Sequence, residues 1–123
     1  MICKFEELYQ QEASGQRARY EALQEGFAQQ FGSAEGGQYF SAPGRSEIGG
    51  NHTDHNHGRV LAAAVNLDIA AYARKTEDGK VSLKSAEYAK MDVVDLSSLA
   101  LDPKEEGTSA ALLRGAGIPG GRL

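Results

Sequence analysis

Along the chain the apolar residues fall into blocks with different periods. Phe5, Leu8 and Tyr9 lie on one side of a short predicted helix over residues 5–13. Ser14 and Gly15 read as a break, with Ser14 as N-cap for the next helix. From Gln16 to Phe31 the residues Tyr20, Leu23, Phe27, Ala28 and Phe31 recur at helical spacing, and Gly32 stands where a helix stops. This predicts an amphipathic helix whose apolar face is core.

Beyond Gly36-Gly37 the period changes. Gln38–Ala42 reads as a short strand ended by Pro43-Gly44, and Arg45–Gly58 has no apolar period and reads as an ordered loop. Val60–Val65 reads as a buried strand, interrupted at Asn66–Asp68 and followed by a strand over Ile69–Arg74. Asp78-Gly79 predicts a hairpin turn into a returning strand over Val81–Ser85. Val93–Leu96 is a further short strand. Pro103 breaks the chain, Lys104–Arg114 has helix character through Ala110, Ala111, Leu112 and Leu113, and residues 116–123 read as an irregular Gly/Pro-rich tail. A strand would ordinarily follow such a helix in an α/β domain, so residues 1–115 read as one segment and 116–123 as the sign of a truncation.

Composition narrows the classes. A chain of 123 residues fits one small domain. A net charge of -4 gives no broad basic surface for nucleic acid. No apolar run approaches the roughly 20 residues that span a bilayer as helix, and the acidic start does not read as a signal peptide. Cys3 is the only cysteine, which excludes an intrachain disulfide and suits a reduced, cytoplasmic compartment.

Candidate chemistry gathers in the segment Ser41–Gly58. His52, His55 and His57 are all the histidines of the chain, and with Asp54 they lie within six residues. Imidazole and carboxylate could hold zinc or another transition ion, although such ligand sets usually draw on a second, distant part of the chain. Alternatively, a carboxylate with His and Asn suits the hydroxyls of a polyol or sugar, while nearby glycines let the backbone approach it. An arginine in the same segment can pair with phosphate or with a carboxylate. A polar surface turn is the third reading.

Ala42-Pro43-Gly44-Arg45, followed at fixed distance by Gly50-Asn51-His52-Thr53-Asp54 and then Asn56 and Gly58, resembles, with no gap in the alignment, the galactokinase signature A-P-G-R-V-N-L-I-G-E-H-T-D-Y-N-x-G of the GHMP kinases. The resemblance runs from the first helices to about Arg114. It implies an α+β fold, the N-terminal part of a GHMP-kinase domain in which helices cover a mixed sheet. It also implies a kinase that phosphorylates the anomeric hydroxyl of galactose or a related hexose, with ATP and Mg²⁺. By motif position Arg45 is the transition-state stabiliser, and Asn51, His52, Thr53 and Asp54 hold the sugar; no metal ligand is assigned. Ser46, Glu47, Gly49, Asn51 and His55 depart from the family pattern, and Asn51 replaces its usual acid. The family's phosphate loop P-x-x-x-G-L-S-S-S is not found in the 123 residues, nor is a Walker A motif, and the catalytic aspartate has no counterpart. The chain alone is therefore expected to be inactive and to hold no ATP tightly. With part of the fold missing, uncovered apolar faces should favour self-association. A non-catalytic sugar sensor of the same family is the competing class.

Overall fold

The computed structural model describes residues 3–50, 56–100 and 102–117. The chain forms two units, residues 1–74 and 75–123, each of which carries its own strand pair.

In the first unit, helix α1 spans Phe5–Tyr9 and a single 3₁₀ turn over Gln10–Glu12 leads into helix α2, Ala13–Phe31. Ser14 and Gly15 do not separate two helices, as predicted, but lie inside α2, whose N-terminal boundary is Glu12. A helical glycine costs about 1 kcal/mol relative to alanine. Tertiary anchors in the next turn override it, because Arg17 pairs with Glu6 and Arg19 with Asp68. The predicted apolar face holds: Tyr20, Leu23, Phe27, Ala28 and Phe31 are all buried or half-buried. Gly32 ends the helix at φ 82°, returning its N–H to the Ala28 carbonyl at 2.8 Å.

Strand β1, Gln38–Gly49, pairs antiparallel with β2, Leu61–Ala73. Three expectations are corrected here. Pro43-Gly44 does not end β1; the strand continues through a register shift between Pro43 and Arg45, so Arg45–Gly49 is strand and not loop. Asn66–Asp68 does not divide β2, because it lies at that irregularity and the ladder resumes beyond it. The segment after Val60 is also not buried, since nothing among the described residues packs over its small alanine side chains.

The aromatic residues explain where the first unit is densest. Seven of the nine Phe and Tyr residues form a continuous series of ring contacts, from Phe5 and Tyr9 through Tyr20, Tyr39 and Tyr72 to Phe27 and Phe31. Centroid separations of 4.7–5.2 Å along this line are those of tilted and edge-to-face pairs. Gly37 is required beside it, because a Cβ there would fall on the Tyr72 ring. Tyr20, 5% exposed, is the buried apolar residue of this unit among those described. The other face of the strand pair is bare: Leu67 is 75% and Ile69 79% exposed, with Phe40 beside them on the partner strand.

In the second unit, β3, Lys80–Lys84, pairs antiparallel with β4, Met91–Asp95. Gly79 does take the left-handed conformation of a turn, φ 67°, with Asp78 accepting from Lys80 N–H and Thr76. That turn nevertheless does not make the predicted hairpin, since β3 takes β4 as its partner. Val94 is fully buried. The predicted helix over 104–114 resolves into a 3₁₀ turn at Pro103–Glu105, capped by Asp102, and helix α3, Ser109–Ala116, capped by Thr108. Gly107, at φ 74°, separates the two. The α+β class stands. The strand pairs are both antiparallel, and the expected mixed sheet has no parallel pair among the described residues.

Candidate functional site

The conspicuous polar cluster of the first unit forms around a carboxylate in the middle of β2. Asp68 accepts hydrogen bonds from Tyr9 (2.5 Å), from Ser41 on β1 (2.5 Å) and from Arg19 on α2 (2.5 Å). Arg19 also donates to the Asp68 carbonyl at 2.9 Å, which fixes the guanidinium against both side chain and backbone. The Tyr9 and Tyr20 hydroxyls are 2.6 Å apart. Tyr9 has one proton and gives it to Asp68, so Tyr20 donates to Tyr9.

The Asp68 side chain is 11% exposed. Burial alone pushes its pKa upward, but the bonds from Ser41, Tyr9 and Arg19 outweigh that and hold it at about 2. Tyr9 shifts the opposite way, because burial and its bonds to Asp68 and Tyr20 disfavour the phenolate. The Asp68 bond raises the Arg19 pKa further above its ordinary value. Asp68 is therefore a fixed carboxylate at neutral pH, paired with the Arg19 guanidinium and with its acceptors occupied. It borders an open groove of about 1120 Å³ that Phe5, Tyr39 and Phe40 also line.

Two positions beyond Pro43 the sequence-predicted site begins. Arg45 stands on β1 opposite Ala64, 76% exposed, with its guanidinium 3.5 Å from Glu47. Gly50 follows the end of β1 at φ 81°, and a Cβ there would collide with the Arg59 carbonyl. The backbones at 50 and 59 therefore run side by side at the base of the histidine-rich segment, which only glycine permits. Asn51, His52, Thr53, Asp54 and His55 lie outside the described residues, and with them three of the four groups of the metal reading, His52, Asp54 and His55. His57, at the far side, has φ 58°. The structure thus shows where the segment leaves and rejoins the strand pair.

Asp68 and Ser41 were not singled out in the sequence. An acid flanked by Leu67 and Ile69 in an apolar run was the available signal, and Arg19, seated on the helix face that carries Tyr20, was its complement.

Comparisons with known proteins fall on the same stretch of chain. The family described as the galactokinase galactose-binding signature matches residues 25–75, from the C-terminal half of α2 through β1 and β2. Galactokinase of Lactococcus lactis subsp. lactis is 37% identical over 84 residues, which is 68% of this chain and 21% of that enzyme. Its counterpart from Lactococcus lactis subsp. cremoris is 40% identical over 74 residues, covering 60% of this chain and 18% of the enzyme. For galactokinase of Streptococcus suis the figures are 36% over 93 residues, 74% and 24%. No solved structure matches. The chain spans about a fifth of the length of these relatives. Its first unit carries the galactose-binding signature of the galactokinases, and the chain resembles the N-terminal segment of those enzymes.

Proposed function

We propose that this chain is the acceptor-binding segment of a galactokinase-like sugar kinase, taking galactose or a related hexose for phosphorylation at the anomeric hydroxyl. The observation that carries the reading is the signature match across residues 25–75, the region that bears Arg45 and the Gly50–Arg59 base. Asn51, His52, Thr53 and Asp54 are proposed to hold the sugar hydroxyls, with side-chain oxygens accepting and imidazole or amide N–H donating. Arg45, close to this segment and open to solvent, is proposed to neutralise charge that develops on a transferring phosphoryl group.

ATP and Mg²⁺ are the donor and cofactor implied for the longer relatives. The 123 residues contain no recognisable phosphate loop, so the donor half of the reaction is assigned no residue here. In the longer protein the β1–β2 pair is proposed to join the mixed sheet of a GHMP-kinase domain in the cytoplasm. Alone, the chain is expected to associate through the bare face around Leu67 and Ile69.

Titration of the ¹⁵N-labelled chain with galactose tests the reading. Saturable shifts confined to residues 50–59, with a roughly millimolar dissociation constant and a free energy of about -4 kcal/mol, are expected. Asp54→Ala should abolish them. Shifts that are absent at saturating sugar, or that survive Asp54→Ala unchanged, would sink it. Galactose-dependent ATP turnover by the 123-residue chain would overturn the assignment of the donor half elsewhere.

One observation favours the second reading, a non-catalytic sugar sensor. Glu47 stands where the signature usually has Asn, and its carboxylate lies 3.5 Å from Arg45, opposing the charge a transition state needs. A gene product containing these residues that binds galactose and phosphorylates it would exclude the sensor.

A further inference from the structure

We propose that Asp68 is a positioning residue: its side-chain hydrogen bonds set the strand register that seats Arg45 on β1 and from which the histidine-rich segment leaves the β1–β2 pair. The link to sugar rests on the galactose-binding reading above; the register claim stands on geometry alone.

The backbone cannot fix the register at this point by itself. Pro43, the partner of Asp68 in the ladder, has no N–H to donate. Immediately afterwards the pairing steps from Pro43↔Asp68 to Arg45↔Ala64, leaving Val65, Asn66 and Leu67 opposite the single residue Gly44. A strand pair whose ladder is interrupted in this way can slip, and a slip reverses which residues face which side. Gly44 helps seat the irregularity, since a Cβ there would lie 3.1 Å from the Val65 methyl.

The Asp68 carboxylate supplies the missing constraint. Its bond to Ser41 ties β2 to β1 two residues before Pro43. Its bonds to Tyr9 and Arg19 tie the same point to the residue that ends α1 and to α2. Arg19 bonds the backbone of the same residue, so β2 is held by main chain as well as side chain. With these acceptor positions occupied, the carboxylate is committed to the protein and not offered to a ligand. The next paired position on β1 is Arg45.

Residue-resolved amide hydrogen exchange and galactose titration of the 123-residue chain, well below its unfolding midpoint, test the proposal. Asp68→Asn keeps the shape but replaces one acceptor oxygen with a donor amine facing other donors. It should speed exchange of the Ala42 to Gly49 amides at least about tenfold more than it speeds that of the Leu23 to Phe31 amides. Galactose affinity should fall by about tenfold, and Asp68→Glu should restore part of both effects. Ser41→Ala removes a single tie and should reproduce a weaker version, which keeps the test decisive if a change at Asp68 prevents folding. Uniformly faster exchange across the first unit would show a merely stabilising role and overturn the proposal, as would unchanged exchange at 42–49. If the unaltered chain binds no galactose, the sugar reading fails while the exchange measurement still decides the register. If it binds and Asp68→Asn binds equally well, the positioning role fails alone.

Discussion

Each unit of this protein contains an arginine–carboxylate pair, and the two pairs do different work. In the first, Arg19 and Asp68 are 49 residues apart in sequence, and Asp68 also accepts from Tyr9 and Ser41. In the second, Arg114 and Glu105 are nine residues apart, joined by two parallel bonds of 2.9 and 2.8 Å to the two carboxylate oxygens. The local pair closes a short loop, braces α3 against the 3₁₀ turn before it, and leaves the rest of the unit to Val94 and the helix caps. The distant pair joins helices to strands, at a place where the ladder has lost a donor. Similar chemistry thus secures a local turn in one unit and tertiary register in the other. Sequence separation and the number of elements tied decide which.

Removing the distant carboxylate should have the largest effect. Asp68→Ala leaves Tyr9 and Ser41 without this acceptor and Arg19 without its carboxylate partner, and should destabilise the first unit by about 3 kcal/mol. Four of the five tyrosines lie in that unit and the chain has no tryptophan, so near-ultraviolet circular dichroism reports it directly. The tyrosine signal should collapse while the α3 amide resonances keep their positions; equal loss in both units would erase the contrast between the pairs.

Acid should act on the same group more gently. Folding lowers the Asp68 pKa to about 2, so its contribution is present above the unfolded value near 4 and is lost as pH falls through the folded one. At about 1.4 kcal/mol per pKa unit, roughly 2 kcal/mol should disappear between about pH 4 and pH 2. Denaturant titrations at pH 6 and pH 2 should show that loss, and Asp68→Asn should lack it.

The bare face offers a third test. Ile69→Lys places a charge on the uncovered side of β2, away from the aromatic series, and should reduce the associated fraction seen by light scattering without altering tyrosine dichroism. An unchanged mass distribution would remove this face as the route of association. Glu105→Gln should have the smallest effect, a modest drop in α3 helicity with the first unit's tyrosine signal unmoved.

Several elements could be read without any structure. The α2 face from Tyr20 to Phe31 and the stop at Gly32 follow from helical spacing and a residue that accepts positive φ. The signature from Ala42 to Gly58 is written in contiguous residues, so its resemblance needs no coordinates. The end of β1 could not be read, because Pro43-Gly44 breaks local propensity while pairing with β2 carries the strand on to Gly49. Likewise Asp68 looked like an interruption, since its partners Tyr9, Arg19 and Ser41 lie 59, 49 and 27 residues away.

The sequence by itself determined the helical face, the stops set by glycine and the identity of the sugar-binding signature, because spacing, conformational preference and contiguous motif are properties of neighbouring residues. Only the tertiary structure decided that β1 runs through its proline, that β3 pairs with β4, and that one aspartate ties two helices to the strand pair beside Arg45. Those outcomes depend on which distant donors and acceptors meet, and local preference does not encode that meeting.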